Sequence, residues 1–184
     1  MIEETNLPGL IVIHPDCFED DRGFFMESYR KDKFSELGIT ETFVQDNHSL
    51  SKKNIIRGLH FQWDRPMAKL MRVTAGRALC AAVDIRSNSP TLGKWHTIEV
   101  SAKNKLQVFA PPGFARGFLA LEDGTEVQYK CSAIYNPKGE SGIRWDDPEI
   151  GIRWPLDTVT LSGKDRNAQT LREWLARKES GEFR

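Results

Sequence analysis

Short apolar runs separated by turn residues follow one another along most of the chain. Alternation of apolar and polar side chains, or dominance of β-branched and aromatic residues, is typical of strands rather than helices. The runs that we assign to strands are Leu10–Ile13, Phe24–Tyr29, Ile55–Gln62, Lys69–Thr74, Ala78–Ile85, Lys94–Val100, Lys105–Ala110, Phe114–Leu121 and Thr125–Cys131. Short connectors that contain glycine or asparagine separate them, and this rhythm predicts an antiparallel sandwich or barrel.

Only two segments have a helical pattern. Asp32–Leu37 is followed by Gly38, a residue suited to the left-handed position after a helix end. A segment at about 168–178 has three apolar residues at i, i+3 and i+4, which predicts an amphipathic helix packed on the outside of the sheets. The last residues, Glu179–Arg184, are expected to fray. We expect a single domain over residues 1–184.

Composition and charge exclude several classes of function. The 184 residues include 26 Lys and Arg against 26 Asp and Glu, so the zero net charge removes the electrostatic case for nucleic-acid binding. Three cysteines without Cys-x-x-Cys spacing predict neither a disulfide framework nor a zinc site, and they fit a reducing compartment. The acidic start and the short aliphatic runs predict no signal peptide and no membrane span. We therefore expect a cytoplasmic protein.

Alternation along the strands places several ionisable side chains on inward faces. In Thr125–Cys131 the alternating polar residues mark the solvent-exposed face, so Tyr129 on the other face points inward. His60, Lys69 and Arg116 also share strand faces with apolar neighbours. His60 or Tyr129 alone is better explained as a core residue whose polar atoms are hydrogen-bonded. Lys69 alone is better explained by an ammonium that extends to solvent, and Arg116 alone by a structural ion pair. Four such groups in one small barrel favour a polar cavity, because burying unpaired charge is costly and polar cavities bind ligands.

One motif points to a particular kind of barrel without a metal. Pro111-x-Gly113-x-x-Arg116 resembles the second signature of the cupin barrel, in which the last residue is normally a metal-ligating histidine. Arginine has no lone pair to donate to a metal. The segment that would supply a His-x-His pair reads His60-Phe61-Gln62, with one histidine. We infer a metal-free, cupin-like barrel.

An ordered set of motifs over about residues 5–167 adds a family resemblance. Arg57-Gly58-Leu59-His60 resembles the Arg-Gly-Leu-His motif of the dTDP-4-dehydrorhamnose 3,5-epimerases. The further matches, in order, are Asp21–Ser28, Val44–Asn47, Lys69–Val73, Val83–Thr91, Tyr129–Cys131, Tyr135–Pro137, Trp145-x-Asp147-Pro148 and Ser162–Asp165. Each motif alone is weak evidence, whereas the ordered set is strong. The resemblance implies an all-β, cupin-type jelly-roll barrel, that is, an antiparallel double-stranded β-helix with short peripheral helices. It also implies a homodimer, no metal and no dissociable organic cofactor.

The implied reaction gives four residues a role. The substrate would be a nucleotide-linked 4-keto-6-deoxyhexose, dTDP-4-dehydro-6-deoxy-D-glucose, whose C4 ketone acidifies the hydrogens at C3 and C5. Epimerisation needs a base on one face, an acid on the other and a group that stabilises the enolate. By resemblance, His60 is the base, Asp165 orients its ring, Lys69 stabilises the charge on the C4 oxygen and Tyr129 is the acid.

The resemblance also implies a set of substrate-binding residues, part of which can come from the partner subunit. The set consists of Arg22, Glu27, Gln45, Asn47, Arg57, Arg116, Tyr135, Glu140 and Lys164. One position departs from the family, which usually has Gly-Phe-Ala-His-Gly-Phe where this chain has Arg116 in place of the histidine. The alternatives left open are a 3-only or 5-only epimerase acting on a related nucleotide sugar, a keto-isomerase and a non-catalytic sugar-binding cupin.

Overall fold

The computed structural model describes residues 1–156 and 158–183 of the chain, mostly as short antiparallel strands. The strands are β1 (Ile2–Glu4), β2 (Ile11–Ile13), β3 (Cys17–Asp20), β4 (Gly23–Met26), β5 (Gln45–Ser51), β6 (Ile56–Gln62), β7 (Lys69–Ala75), β8 (Arg77–Asp84), β9 (Trp95–Ser101), β10 (Gln107–Ala110), β11 (Phe114–Ala120), β12 (Thr125–Cys131) and β13 (Glu140–Gly142). The helices are α1 (Lys31–Glu36), α2 (Gly163–Arg166) and α3 (Leu171–Leu175), and a 3-10 helix spans Lys178–Glu182.

Two sheets enclose the main apolar core. One has six strands in the order β1-β2-β10-β7-β12-β5, and the other has five in the order β13-β6-β11-β8-β9. Every strand pairing within them is antiparallel. The core includes Val73, Val108, Phe118 and Val127, which come from both sheets and are nearly inaccessible. These observations confirm the predicted all-β jelly-roll barrel of cupin type with a few short helices.

A second core lies on the outer side of the five-stranded sheet. Trp174 of α3 is fully buried there, and its ring centroid lies 4.6 Å from that of Phe61 on β6. The predicted C-terminal helix is shorter than expected. Thr170 is the N-cap of α3, and Gln169 forms a β-bridge with Ile143 rather than part of the helix. The prediction that the tail frays is wrong for its described part, which ends at Phe183. This residue is 4% exposed, and its ring packs against those of Phe61 and Trp174. Arg184 lies outside the described residues.

The segment between β4 and β5 covers one end of the six-stranded sheet. Phe34 of α1 and Ile39 are buried against Leu70 and Phe109 of that sheet. As predicted, Gly38 follows the helix end, with a φ of +84°. The separate hairpin formed by β3 and β4 remains exposed. Across the described ranges, no helix is long and apolar enough to cross a membrane.

Two glycines allow β6 and β11 to approach closely beside the cavity. A Cβ atom on Gly58 would lie 2.6 Å from the Cα of Gly117, and one on Gly117 would lie 2.6 Å from the carbonyl oxygen of Arg57. The register between the two strands shifts between Arg116 and Phe118. This contact therefore sets how the inward side chains of β6 and β11 enter the space between the sheets.

Candidate active site

A cavity of about 350 Å³ opens between the two sheets. Its wall includes all four predicted catalytic residues and five of the predicted binding residues. These are His60, Lys69, Tyr129, Asp165, Arg57, Arg116, Tyr135, Glu140 and Lys164. The inward orientation deduced from strand alternation for His60, Lys69, Arg116 and Tyr129 agrees with this arrangement. Between these groups the wall is apolar, with side chains such as those of Met71, Cys80 and Val108.

His60 on β6 is hydrogen-bonded to Asp165 of α2. The Nε2 atom lies 2.5 Å from Oδ1, and the Asp165 side chain is 5% exposed against 26% for His60. Burial by itself raises the pKa of Asp165, but the hydrogen bonds from His60 and at Ser162 outweigh it and leave the pKa below the usual value. An ionised carboxylate only accepts hydrogen bonds, so Nε2 carries the proton, and in the neutral imidazole Nδ1 is then the nitrogen with the free lone pair. The pair is therefore arranged for general-base catalysis.

Tyr129 and Lys69 belong to the opposite wall. They lie on the paired strands β12 and β7 of the six-stranded sheet, whereas His60 lies in the five-stranded sheet. The Nζ atom of Lys69 lies 4.8 Å from the centroid of the Tyr129 ring. Burial raises the pKa of Tyr129, which keeps the phenol protonated. Burial, reinforced by the charge of Arg116, lowers the pKa of Lys69 to about 8, so its ammonium is still charged at neutral pH.

The outer part of the cavity carries a polar cluster. Glu140 of β13 accepts a hydrogen bond from the Tyr135 hydroxyl at 2.7 Å and forms an ion pair with Lys164. Burial alone raises the pKa of Glu140, but these two partners reverse the effect and lower it. Arg57 is held by Ser51 Oγ and by the Leu50 carbonyl, each at 3.0 Å. Arg57 and Lys164 thus provide cationic groups suited to a diphosphate.

Four predicted binding residues lie outside this wall. Gln45 and Asn47 are on β5, where Gln45 accepts from the Tyr135 backbone N–H at 2.9 Å and Asn47 lines a second cavity of about 290 Å³. Arg22, at the β3–β4 turn, is 90% exposed at its side chain and pairs with Asp20. Glu27 forms an ion pair with Lys33 at 2.8 Å. Within the described residues of one chain, neither Arg22 nor Glu27 reaches the cavity.

Three polar residues of the wall were given no role of their own from the sequence. Ser49, His96 and Ser162 all contribute to the wall. Ser162 had a detectable signal, since serine three residues before an acidic residue is typical of a helix N-cap. Its Oγ accepts from the Asp165 backbone N–H at 3.0 Å. Among residues 1–156 and 158–183, no group of three His, Cys, Asp or Glu side chains is placed to hold a metal ion.

Comparisons with known proteins agree on one family. The family described as dTDP-4-dehydrorhamnose 3,5-epimerase matches residues 4–173. An enzyme of that name from Methanothermobacter thermautotrophicus is 49% identical, over 92% of this chain and 94% of its own length. The corresponding enzyme of Salmonella typhimurium is 46% identical, over 95% and 97%. A crystal structure of the Legionella pneumophila dTDP-6-deoxy-D-glucose-3,5-epimerase with dTDP-4-keto-L-rhamnose superposes with a TM-score of 0.94 at 43% identity, covering 98% of this chain and 96% of the other. The chain belongs to the dTDP-4-dehydrorhamnose 3,5-epimerase family of isomerases.

Proposed function

We propose that the chain epimerises C3 and C5 of dTDP-4-dehydro-6-deoxy-D-glucose, giving dTDP-4-dehydro-L-rhamnose. The observation that carries the proposal is the placement of His60 and Tyr129 on opposite walls of one cavity, with Lys69 beside the tyrosine. Inversion at a carbon needs a base on one face and an acid on the other. The Legionella relative, whose structure contains the corresponding keto sugar, supports the choice of substrate.

Each inversion is a proton removal followed by a proton return. His60 takes the proton from a carbon next to the C4 ketone, and the electron pair of the broken C–H bond moves onto the C4 oxygen. The ammonium of Lys69 stabilises the resulting enolate. The phenol of Tyr129 then gives a proton to the opposite face of the carbon, and solvent restores both side chains. The same sequence at the second carbon completes the reaction.

The polar outer cluster accommodates the nucleotide part of the substrate in this proposal. Arg57 and Lys164 line the cavity next to Tyr135 and Glu140, and guanidinium and ammonium groups bind phosphate oxygens through charge-assisted hydrogen bonds. With the diphosphate at these residues, the sugar reaches inward to His60. The substrate supplies the ketone that activates its own carbons, so the residues of the wall need only move protons and hold charge.

We further propose a homodimer in which each subunit completes its partner's site. The support is the position of Arg22 and Glu27, which match family binding motifs but lie away from the cavity of their own chain. The hairpin that carries Arg22 also exposes Phe18 and Phe25, at 67% and 70%. Exposed aromatic side chains of this size mark interaction surfaces.

The three cysteines are free thiols, which fits the proposed cytoplasmic location.

Proton exchange tests the reaction. In deuterated water, proton NMR of the wild-type reaction should show deuterium entering at both C3 and C5 of the keto sugar. His60→Ala should slow this exchange by about 10²–10⁴-fold, the usual contribution of a general base. Tyr129→Phe should impair formation of the inverted product more than exchange, because the acid acts after proton removal. His14→Ala is the control, since His14 pairs with Glu3 on the surface.

The possible outcomes separate the alternatives. Exchange at one carbon only would identify a 3-only or 5-only epimerase, and a product with a displaced carbonyl would identify a keto-isomerase. Binding without any exchange would identify a sugar-binding protein. A near-normal rate in His60→Ala would show that the base is a different residue.

Mixing two inactive variants tests the dimer. Arg22→Ala and His60→Ala should each be impaired alone, but mixed dimers should regain activity, because one of their two sites contains both native residues. Sedimentation of the wild type should give twice the chain mass. A monomer in sedimentation, or no recovery on mixing after subunit exchange, would refute the shared site.

A further inference from the structure

Arg116 occupies a position between the base and the lysine. On β11 it pairs directly with His60 of β6, and its side chain lines the cavity. Its guanidinium donates from Nη1 to the Ala110 carbonyl at 3.2 Å and from Nη2 to the Met67 carbonyl at 3.0 Å. Ala110 is the strand partner of Lys69. The side chain therefore runs from the His60 strand to the backbone around Lys69.

This cation has no carboxylate partner in the described part of the chain. The two acidic groups of the cavity are already engaged, Asp165 with His60 and Glu140 with Lys164. The Nε atom of Arg116 is buried and makes no hydrogen bond to any described residue. Burial lowers the pKa of Arg116 to about 10, which leaves the guanidinium charged at neutral pH. A buried charge without a counter-ion is costly and is strongly stabilised by an anion that arrives beside it.

Lys69 is the other cation in this part of the wall. Like Arg116, it forms no ion pair among the described residues, and its ammonium lies over the Tyr129 ring. The ionisable groups that face the guanidinium are Lys69, Tyr129 and the thiol of Cys131. Burial raises the pKa values of Tyr129 and Cys131, so neither supplies negative charge at neutral pH. Among the described residues, the part of the wall around Arg116 and Lys69 thus holds two positive charges and no anion.

We propose that Arg116 is a catalytic residue that shares with Lys69 the negative charge of the enolate oxygen. The inference rests on the proposed function, in which a neutral ketone becomes an anion only as the proton leaves. A fixed cation beside that oxygen binds the transition state more tightly than the ground state and so accelerates the chemical step. The histidine usual at this position in the family motif does not carry a permanent charge. In the proposed function the diphosphate binds at Arg57 and Lys164, which also line the cavity.

A charge series at this position tests the inference. Arg116→Gln removes the charge, Arg116→Lys keeps it, and Arg116→His restores the residue usual in the family. We measure deuterium exchange at C3 and C5 and, separately, the Kd of dTDP, which has the diphosphate but no ketone. Arg116→Gln should slow exchange by about 10²–10³-fold, as expected for one lost oxyanion donor, with the Kd of dTDP within about threefold of wild type. Arg116→Lys should be distinctly faster than Arg116→Gln.

Three results would overturn the inference. They are an unchanged exchange rate in Arg116→Gln, a Kd of dTDP that weakens as much as the rate, and equal losses in Arg116→Gln and Arg116→Lys. If Arg116→Gln does not fold by thermal melting, Arg116→His at pH 8 replaces it as the uncharged variant in the same comparison with Arg116→Lys. Absence of exchange in the wild type would instead refute the proposed function, so the two failures are distinguishable.

Discussion

Lys69 should lose its charge, and the enzyme its rate, as the pH rises through about 8. The pKa is lowered from 10.5 mainly because the side chain is buried between the sheets, with the charge of Arg116 adding to the effect. For a pKa of 8, the protonated fraction falls from about nine-tenths at pH 7 to about one-tenth at pH 9, following the usual titration curve. Because Lys69 stabilises the enolate only in its ammonium form, the exchange rate should fall by up to about tenfold over this interval.

The assay is the initial rate of deuterium exchange with saturating substrate between pH 6 and 9. Lys69→Arg should remove the alkaline decrease, because a guanidinium stays charged throughout this range. In Arg116→Gln the alkaline decrease should occur at a higher pH, because one of the charges that lowers the pKa of Lys69 has been removed. An alkaline decrease that is the same in Lys69→Arg as in the wild type would refute the assignment of this limb to Lys69.

The same pKa also fixes the effect of Lys69 on stability. Between pH 8 and 10.5 the unfolded chain binds more protons at this residue than the native one, so the free energy of unfolding should rise with pH there. Well below pH 8 the full cost of the buried charge is present, at most about 3.5 kcal/mol from about 1.4 kcal/mol per pKa unit. The cavity-facing surface of the ammonium reduces this figure. Lys69→Met should therefore be inactive but more stable than the wild type at pH 7 in urea denaturation, whereas a loss of stability would contradict the argument.

Two further predictions concern the elements that position the dyad. Ser162→Ala should lower kcat with the KM and the Kd of dTDP little changed, because it removes the N-cap that orients Asp165. Ser162→Asn, which can also cap the helix, should retain most of the rate. An unchanged kcat in Ser162→Ala would refute this role. Gly117→Ala should lower the melting temperature by an amount equivalent to about 1–3 kcal/mol, because its Cβ would meet backbone atoms of β6. Gly163→Ala is the matched control, since a Cβ there has no atom of the described residues within 4 Å, and equal effects of the two substitutions would contradict the close-approach argument.

The sequence determined those features that depend on local periodicity. Alternation along Thr125–Cys131 was sufficient to orient Tyr129 inward, because successive side chains of a strand point to opposite faces. The same rule predicted that His60, Lys69 and Arg116 point inward, and all three line the cavity. It failed for β5 (Gln45–Ser51), whose largely polar sequence has no apolar face and which is a strand because it pairs along its whole length with β12.

Strand periodicity does not decide which of these groups meet, and the tertiary structure does. His60 and Asp165 lie 105 positions apart, and no spacing rule predicts their 2.5 Å contact. Within the described residues, the fold likewise places no carboxylate beside Arg116 and keeps Arg22 away from the cavity of its own chain. A periodic pattern fixes the direction of a side chain from its immediate neighbours in sequence. The partner that it meets depends on how distant strands pack against one another, and that is a property of the whole core.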